Sequence, residues 1–239
     1  MSKGSSARAR RARARARQGS KKSSSAPVFI IVIVLIVVAG VVAVALSRGS
    51  GTSASGPQNR PVTIKGDALP TMSEGGTDPG LGKQVPTVTG KTYSGRPVTV
   101  AGGGKPEIIF VLAHWCPHCN DEVPLVVDWM EAGRAPAGVR YRAVSTAVDK
   151  SAPHYPPSKW LKDEKWKVPT LADSEDSEAG RALGTPGYPY ILFVKADGTL
   201  AARTSGELAI DDLERMAKEL LAGQPVRPPG ASGPASEAG

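Results

Sequence analysis

The chain holds two cysteines, Cys116 and Cys119, separated by two residues in the segment 115–119, which reads WCPHC. A continuous apolar run of strand length, 106–113, leads directly into this segment, and apolar residues at helical spacing follow it. Two intervening residues let a pair of sulfurs close a small disulfide within the first turn of a helix. The pattern is therefore typical of a redox-active cysteine pair, which needs no metal or organic cofactor.

The position of the pair distinguishes the two sulfurs. Cys116 is expected at the positive end of a helix dipole, where unpaired backbone N–H groups stabilise a thiolate. A stabilised thiolate is the attacking species in thiol chemistry, so Cys116 is predicted to attack and Cys119 to resolve. Pro117 suits the first turn of the helix, and a protonated His118 would stabilise the thiolate further. Pro117 and His118 are therefore predicted to tune the reactivity of the pair.

Two other uses of a CxxC pair are less well supported. A four-ligand zinc site would need more donors, and the sequence offers His114, His118 and His154 without a second CxxC. A purely structural disulfide across two residues closes so short a loop that it restricts the unfolded chain little. The sequence therefore favours thiol-disulfide exchange and predicts no metal site.

The pattern of apolar residues predicts an α/β domain with a mixed central sheet flanked by helices. The predicted strands are 84–88 and 97–101, forming a hairpin that turns near 90–91, and then 106–113, 139–148, 169–174, 189–194 and 199–204. The predicted helices are 117–133, 157–166, 178–183 and 207–223, the last with Leu208, Leu213, Met216 and Leu220 on one face.

Charge is distributed unevenly along the chain. The net charge is +8 over 239 residues, but residues 1–25 hold nine basic residues and no acidic one. The remainder holds 21 basic and 22 acidic residues and so carries a charge of −1. This distribution argues against nucleic acid as a partner, and 40% hydrophobic residues argue against a wholly disordered chain. Two cysteines are too few for a small domain held together by disulfides.

The basic tail precedes a candidate membrane anchor. Residues 26–46 form an uncharged apolar run of 21 residues, and about 20 such residues cross a bilayer as a helix. Basic residues flanking a span stay on the cytoplasmic side, so the tail is predicted to be cytoplasmic and the C-terminal part extracytoplasmic. A cleaved signal peptide is the alternative, because 43–45 reads AVA, and either interpretation exports the domain.

Five segments follow from this interpretation. They are a basic cytoplasmic tail (1–25) that also contacts anionic lipid headgroups, a transmembrane helix (26–46), a flexible Gly/Ser-rich linker (47–61), an extracytoplasmic domain (62–222) and a disordered tail (223–239).

The sequence resembles the thioredoxin superfamily and, within it, the membrane-tethered TlpA/ResA group. The resemblance covers residues 82–223 and implies a thioredoxin-like fold behind a single N-terminal transmembrane helix. It is carried by four segments: GKP at 104–106, AHWCPHC at 113–119, EVP at 122–124 and GYPYILF at 187–193.

The resemblance implies roles for further residues. Pro189 would follow a cis peptide bond and face the cysteine pair, leaving the backbone of Tyr188 free to pair with a substrate strand. Glu122 would shuttle the proton of Cys119 from one helical turn away, the alternative being a solvent-facing glutamate. Trp115 and Tyr188 would line the groove in which a substrate docks.

The direction of electron flow is less clearly indicated. The dipeptide Pro117-His118 matches the oxidase DsbA, but the chain between Cys119 and Pro189 is too short for the helical domain inserted in DsbA. The resemblance therefore favours a membrane-anchored reductase of exported proteins, recycled by a membrane electron-transfer partner. The alternatives are a DsbA-like oxidase, a module that binds extended chains and uses the cysteines as a redox switch, and an exported metal-binding domain.

Overall fold

The computed structural model of the protein describes residues 56–72 and 78–230. The predicted basic tail, the predicted transmembrane helix and most of the predicted linker lie outside these residues, as does the end of the C-terminal tail. Within the described ranges, no helix combines the length and the apolar character that a membrane crossing requires.

The described residues form eight strands and four helices. The strands are β1 (Thr63–Lys65), β2 (Thr87–Lys91), β3 (Pro97–Val100), β4 (Glu107–Leu112), β5 (Arg140–Ser145), β6 (Thr170–Ala172), β7 (Tyr190–Val194) and β8 (Leu200–Ser205). The helices are α1 (Pro117–Glu131), α2 (Pro157–Asp163), α3 (Glu178–Ala182) and α4 (Ile210–Leu221).

The central sheet is mixed, as the sequence predicts. Its five strands run in the order β6-β5-β4-β7-β8, with β4, β5 and β6 parallel and β7 antiparallel to both β4 and β8. A second, antiparallel sheet has the order β1-β2-β3. The topology of the central sheet and its helices gives an α/β thioredoxin-like fold.

Strand β4 is central to the core because every one of its residues is buried. Ile108 and Phe110 pack in a cluster with apolar side chains of α1 and α4, whereas Ile109 and Val111 pack with those of β2 and β3. A strand whose two faces are both covered has no polar face, which explains the unbroken apolar run in the sequence.

The β2–β3 hairpin turns later than predicted. Lys91 still pairs with Pro97, and the turn lies over 92–96, where the Thr92 N–H donates to the Arg96 carbonyl oxygen. Gly95 has a φ of 84°, a conformation that glycine adopts without steric cost. The predicted turn near 90–91 is wrong because the flexible Gly90 lies within a strand, and Gly95 supplies the turn residue.

The folded region extends slightly beyond the predicted domain on both sides. Gln58 accepts a hydrogen bond from the Ser158 N–H, and the Arg60 N–H donates to the carbonyl oxygen of Asp173. Near the other end, Val226 is buried in the core cluster that contains α4. The boundaries at residues 62 and 222 stay predictions, and ordered contacts reach a few residues past each.

Candidate active site

Cys116 lies where β4 gives way to α1. It is the N-cap residue of α1, with extended backbone angles, and its side chain makes no capping hydrogen bond. Its N–H donates to the Ala113 carbonyl oxygen and its own carbonyl oxygen accepts from the Asn120 N–H, both at 3.1 Å. The thiol is free to point elsewhere, and it donates a hydrogen bond to the carbonyl oxygen of Tyr188 at 3.2 Å.

The segment opposite Cys116 is the entry into β7. The Tyr188–Pro189 peptide bond is cis, the geometry expected from the resemblance. Tyr190 pairs with Val111 near the end of β4, so the antiparallel register brings the start of β7 beside the cysteine pair. The sheet itself therefore places Tyr188 and Pro189 against Cys116. Their roles in substrate binding stay predictions.

Cys119 lies in the first turn of α1 and is fully buried, whereas Cys116 is 6% exposed. Both sulfurs are free thiols. Burial raises the pKa of the Cys119 thiol, and the neighbouring Cys116 sulfur and Glu122 carboxyl raise it further. Cys119 therefore needs a base before it can act as a nucleophile.

Glu122 is the base that the resemblance predicts, and this role stays a prediction. Glu122 is 2% exposed, which removes the solvent-facing alternative that the sequence leaves open. Its Oε1 accepts a hydrogen bond from the Leu208 N–H at 2.9 Å, and its Oε2 is buried without a partner among the described residues. Burial and the nearby charge of Glu207, opposed by the Leu208 hydrogen bond, raise the pKa of Glu122 to about 7. A carboxyl group with such a pKa can both accept and return a proton near neutral pH.

His118 is exposed and turned toward a partner that the sequence analysis does not identify. Its Nδ1 is hydrogen-bonded to Glu207 Oε1, 89 positions along the chain, and this is the hydrogen bond that the structure gives its ring. With Asp121, the two residues place three potential metal-ligand atoms within 4.8 Å of one another. All three are exposed, and the His118–Glu207 pair accounts for the approach of two of them, so the cluster does not indicate a metal site.

Trp115 and Tyr188 lie together beside the pair. Their rings meet edge to face with centroids 5.8 Å apart. The Trp115 indole N–H donates to the Ala147 carbonyl oxygen at 2.7 Å, and 36% of the residue remains exposed. The structure therefore places a fixed, partly exposed aromatic pair next to Cys116, and its contact with an extended substrate chain stays a prediction.

The polar side chains of Asn120 and His114 hold the segment around the cysteine pair in place. The Asn120 amide donates to the carbonyl oxygens of His114 and Cys116, at 3.1 and 2.8 Å. The buried His114 ring contacts the Pro153 carbonyl oxygen through Nδ1 at 2.8 Å and accepts from the Asp149 N–H through Nε2 at 3.2 Å. Neither nitrogen is left for a metal, so the structure supports the rejection of a zinc site at His114.

The predicted site residues converge on one place. Cys116, Cys119, Glu122, Trp115, Tyr188 and Pro189 surround the end of β4. Sequence reasoning misses Asn120, although a polar side chain four residues after the first cysteine could have indicated it. It also misses Glu207, for which there is no local signal. A slightly accessible thiol at a helix N-terminus and a second, fully buried thiol near a buried carboxyl together can perform thiol-disulfide exchange.

Comparison with known proteins agrees with this geometry. The family model described as "AhpC/TSA family" matches residues 81–203, slightly more than half of the chain. The thiol:disulfide interchange protein DsbE of Pasteurella multocida is 30% identical over 105 residues, 44% of this chain and 53% of that protein. DsbE of Pseudomonas fluorescens biotype C is 28% identical over 128 residues, 53% and 67% of the two chains. The chain thus spans about half of the first relative's length and two thirds of the second's.

A solved structure is also similar. It is a secreted Mycobacterium tuberculosis disulfide oxidoreductase described as homologous to E. coli DsbE, with 25% identity and a TM-score of 0.47. The match covers 55% of this chain and 95% of that one. The family match confirms the thioredoxin-like relationship inferred from the motifs. The DsbE proteins and the solved oxidoreductase are what this chain is similar to, and the family match shows that the chain belongs to the AhpC/TSA family.

Proposed function

We propose that the chain is a membrane-anchored thiol-disulfide oxidoreductase of exported proteins and that it acts as a reductase. The observation that carries the proposal is the Cys116 thiol, held at the N-terminus of α1 and 3.2 Å from the carbonyl oxygen of Tyr188. A substrate disulfide that docks along Tyr188 and Pro189 reaches the more accessible of the two sulfurs.

In the first step Cys116 loses its proton and its thiolate attacks one sulfur of the substrate disulfide. A bond forms between Cys116 Sγ and that sulfur, the substrate disulfide breaks, and the other substrate sulfur leaves as a thiolate that takes up a proton. The product is a mixed disulfide. Deprotonation also breaks the hydrogen bond to Tyr188, which frees that carbonyl oxygen to pair with the substrate backbone.

In the second step Glu122 accepts the proton of Cys119, and the Cys119 thiolate attacks Cys116 Sγ. The Cys116–Cys119 disulfide forms, the bond between Cys116 Sγ and the substrate breaks, and the second substrate sulfur leaves as a thiolate that takes up the proton held by Glu122. The substrate gains two electrons and two protons, and the chain becomes oxidised. A membrane electron-transfer partner must then reduce the pair again before the next turnover.

The pair formed by His118 and Glu207 supports the reductive direction. A protonated His118 would stabilise a Cys116 thiolate and so favour the reduced form of the chain. A more stable reduced form raises the reduction potential, and this would make the chain an oxidant. The Glu207 carboxylate contacts this imidazole and offsets its charge. The influence of the Pro117-His118 dipeptide is thereby weakened.

A DsbA-like oxidase is the second candidate, and the Pro117-His118 dipeptide is the observation that favours it. In that case the oxidised pair would accept attack by a substrate thiolate. A redox-switched module that binds chains without turnover is the third, and it would not need a buried Glu122 beside Cys119.

The cellular setting follows from the sequence. The apolar run 26–46 and the basic residues before it support an anchor with the N-terminus in the cytoplasm and the thioredoxin-like domain outside. Substrates would then be thiols and disulfides of exported proteins, and nucleic acid would not be a partner.

A trapping experiment tests the proposal. The full chain carrying Cys119→Ser keeps the attacking thiol but cannot resolve, and it can capture only partners that present a disulfide. We expect mixed disulfides with exported proteins on non-reducing gels, and none with the matched variant Cys116→Ser/Cys119→Ser. If the single variant captures nothing while the wild type still binds exported chains, the redox-switched module is the better description.

A further inference from the structure

A basic groove lies away from the cysteine pair, between the turn of the β2–β3 hairpin and the segment that joins α2 to β6. It has a volume of about 700 Å³. Four of its lining side chains are basic and none is acidic; the basic ones are Arg96, Lys162, Lys165 and Lys167. Lys167 pairs with Glu131, whereas the structure gives the other three no ion pair among the described residues.

Two aromatic residues, Trp166 and Tyr93, also line this basic groove. The Trp166 ring packs edge to face on Phe110 with centroids 5.6 Å apart, and its indole N–H is bonded to Thr170, so the ring is held in position. The Tyr93 hydroxyl is buried, so Trp166 is the aromatic ring that the groove offers. Cationic side chains around a partly exposed Trp ring match the interface of a bilayer, where charged headgroups lie above apolar chains.

The chain enters the folded domain at the rim of the same groove. The Gln58 side chain accepts from the N–H of Ser158, and the Arg60 guanidinium donates to the Tyr93 carbonyl oxygen at 2.8 Å. Both Ser158 and Tyr93 line the basic groove. The end of the tether is therefore fixed beside the four basic residues.

The length of the tether limits how far the groove can move from the bilayer. Eleven residues, 47–57, separate the predicted span from Gln58, and they are mostly Gly and Ser. Even fully extended, eleven residues span at most about 40 Å, so an anchored domain meets the headgroups of its own membrane at a high local concentration.

We propose that the basic groove binds anionic phospholipid headgroups of the membrane that holds the anchor, and that this contact orients the domain on the bilayer. The inference rests on the anchor in the proposed function. Each basic residue near an anionic surface is worth about a fivefold change in the bound population. The groove excludes Cys116, Trp115 and Tyr188, so the active site stays available to substrates while the groove is occupied.

Hydrogen exchange of the full chain tests this proposal in nanodiscs of phosphatidylcholine alone and with 30% phosphatidylglycerol. We expect amides of 92–96 and 158–168 to exchange at least fivefold more slowly in the anionic discs, and the difference to disappear in high salt. Lys162→Glu/Lys165→Glu should abolish it. Lys150→Glu/Lys195→Glu, which reverses two exposed charges elsewhere, should leave it unchanged.

The outcomes separate the contact from the anchor. If the amides of the groove exchange at the same rate in both kinds of nanodisc, the headgroup contact is overturned, whether or not phosphatidylcholine alone slows them. The anchor is left intact by that result. A chain recovered free of discs would contradict the anchor and with it this proposal. Protection that survives the Lys162/Lys165 reversal would place the contact elsewhere on the domain and would also overturn it.

Discussion

The Cys116 thiol donates its hydrogen bond to the backbone of Tyr188 and not to another side chain. This contact links the N-terminus of α1 to the residue before cis Pro189 and uses the one carbonyl oxygen that a docking substrate strand would need. If a substrate strand pairs with Tyr188 as proposed, release of the proton from Cys116 also releases this carbonyl oxygen, and nucleophile formation is coupled to substrate pairing.

Glu122→Gln should slow resolution of the mixed disulfide. Glutamine fills the same space but cannot take the proton of Cys119, whose pKa is raised by burial. General base catalysis of this kind is worth about 100-fold or more. Stopped-flow measurement of Cys116–Cys119 disulfide formation should show that loss, together with the disappearance of a rate inflection near pH 7. Asp128→Asn, on the exposed side of α1, is the control, and an equal loss there would contradict the role.

Glu122→Gln should also raise the free energy of unfolding of the domain above pH 7. Glu122 has a pKa of about 7 in the folded chain against 4.5 for a free carboxyl, so the folded state binds more protons between these values. Stability therefore falls as pH rises through that window, and above pH 7 the buried charge costs on the order of 3 kcal/mol. Urea unfolding at pH 5 and pH 8 should show that the free energy of unfolding of Glu122→Gln, relative to the wild type, is higher at pH 8 than at pH 5. A variant that is less stable at pH 8 would contradict this account.

Glu207→Gln should make the chain more oxidising. Without the carboxylate, a protonated His118 is free to stabilise the Cys116 thiolate, which favours the reduced form. An exposed pair is worth about 0.2–1 kcal/mol, and this corresponds to a rise in reduction potential of about 4–20 mV. A redox titration against glutathione measures the shift. The rise should vanish in the His118→Ser background, and its persistence there would show that Glu207 acts by another route.

His114 should make the free energy of unfolding fall as the solution becomes more acidic. Burial lowers the pKa of His114, which accepts from the Asp149 N–H and so must stay neutral. The unfolded chain then binds the extra proton, and stability is lost as pH falls below about 6.5. His114→Ala should cost about 1–3 kcal/mol at pH 8 by leaving its partners unpaired, and should flatten this pH dependence. Lys65→Gln, at an exposed residue that does not act on His114, is the control and should keep the wild-type slope in urea unfolding.

Asp78→Ala should strongly destabilise the domain. Arg203 has a fully buried side chain that donates to both carboxylate oxygens of Asp78, as well as to the Tyr190 hydroxyl and the Pro70 carbonyl oxygen. Removal of one partner of a buried pair costs about 3–5 kcal/mol. Urea denaturation provides the measurement, with the exposed Asp67→Ala as control. A loss below 1 kcal/mol would mean that the remaining acceptors compensate for the Arg203 charge.

The pH dependence of this ion pair has a definite sign. Burial acts to raise the pKa of Asp78, but hydrogen bonds from Arg203 and the Gly80 N–H outweigh it, so the pKa lies below 3.8. The stabilisation is therefore present above about pH 4 and is lost as pH falls through the lower, folded-state value. The difference between wild type and Asp78→Ala should shrink in that acid range.

The sequence predicts the local features of this fold well. The unbroken apolar run of β4 and the helical spacing after Pro117 each arise from short-range patterns, and both elements form where they are expected. Leu208 shows the limit: it is predicted within the last helix, but α4 begins at Ile210, after Ala209 with its non-helical ψ of 137°. The backbone N–H of Leu208 is bonded to Glu122 from another element. A tertiary hydrogen bond of that kind leaves no periodic signal.

The site divides in the same way. Cys116, Cys119 and Pro189 are recognisable because their chemistry depends on residue type and spacing. Glu207 and the partners of His114 become visible only when distant segments meet, since they lie 35 or more positions from the residues they contact. In the proposed function the His118–Glu207 contact bears on the direction of electron flow, and the motif alone does not contain that contact.

The reduction potential of the full chain tests the central claim most directly. It can be measured in detergent by alkylation gel shift in glutathione and dithiothreitol buffers. The account predicts a value near that of thioredoxin, about −270 mV, which suits a chain that passes electrons to substrate disulfides. A value near that of DsbA, about −120 mV, would contradict it and would mean that Pro117 and His118 make the chain a donor of disulfides.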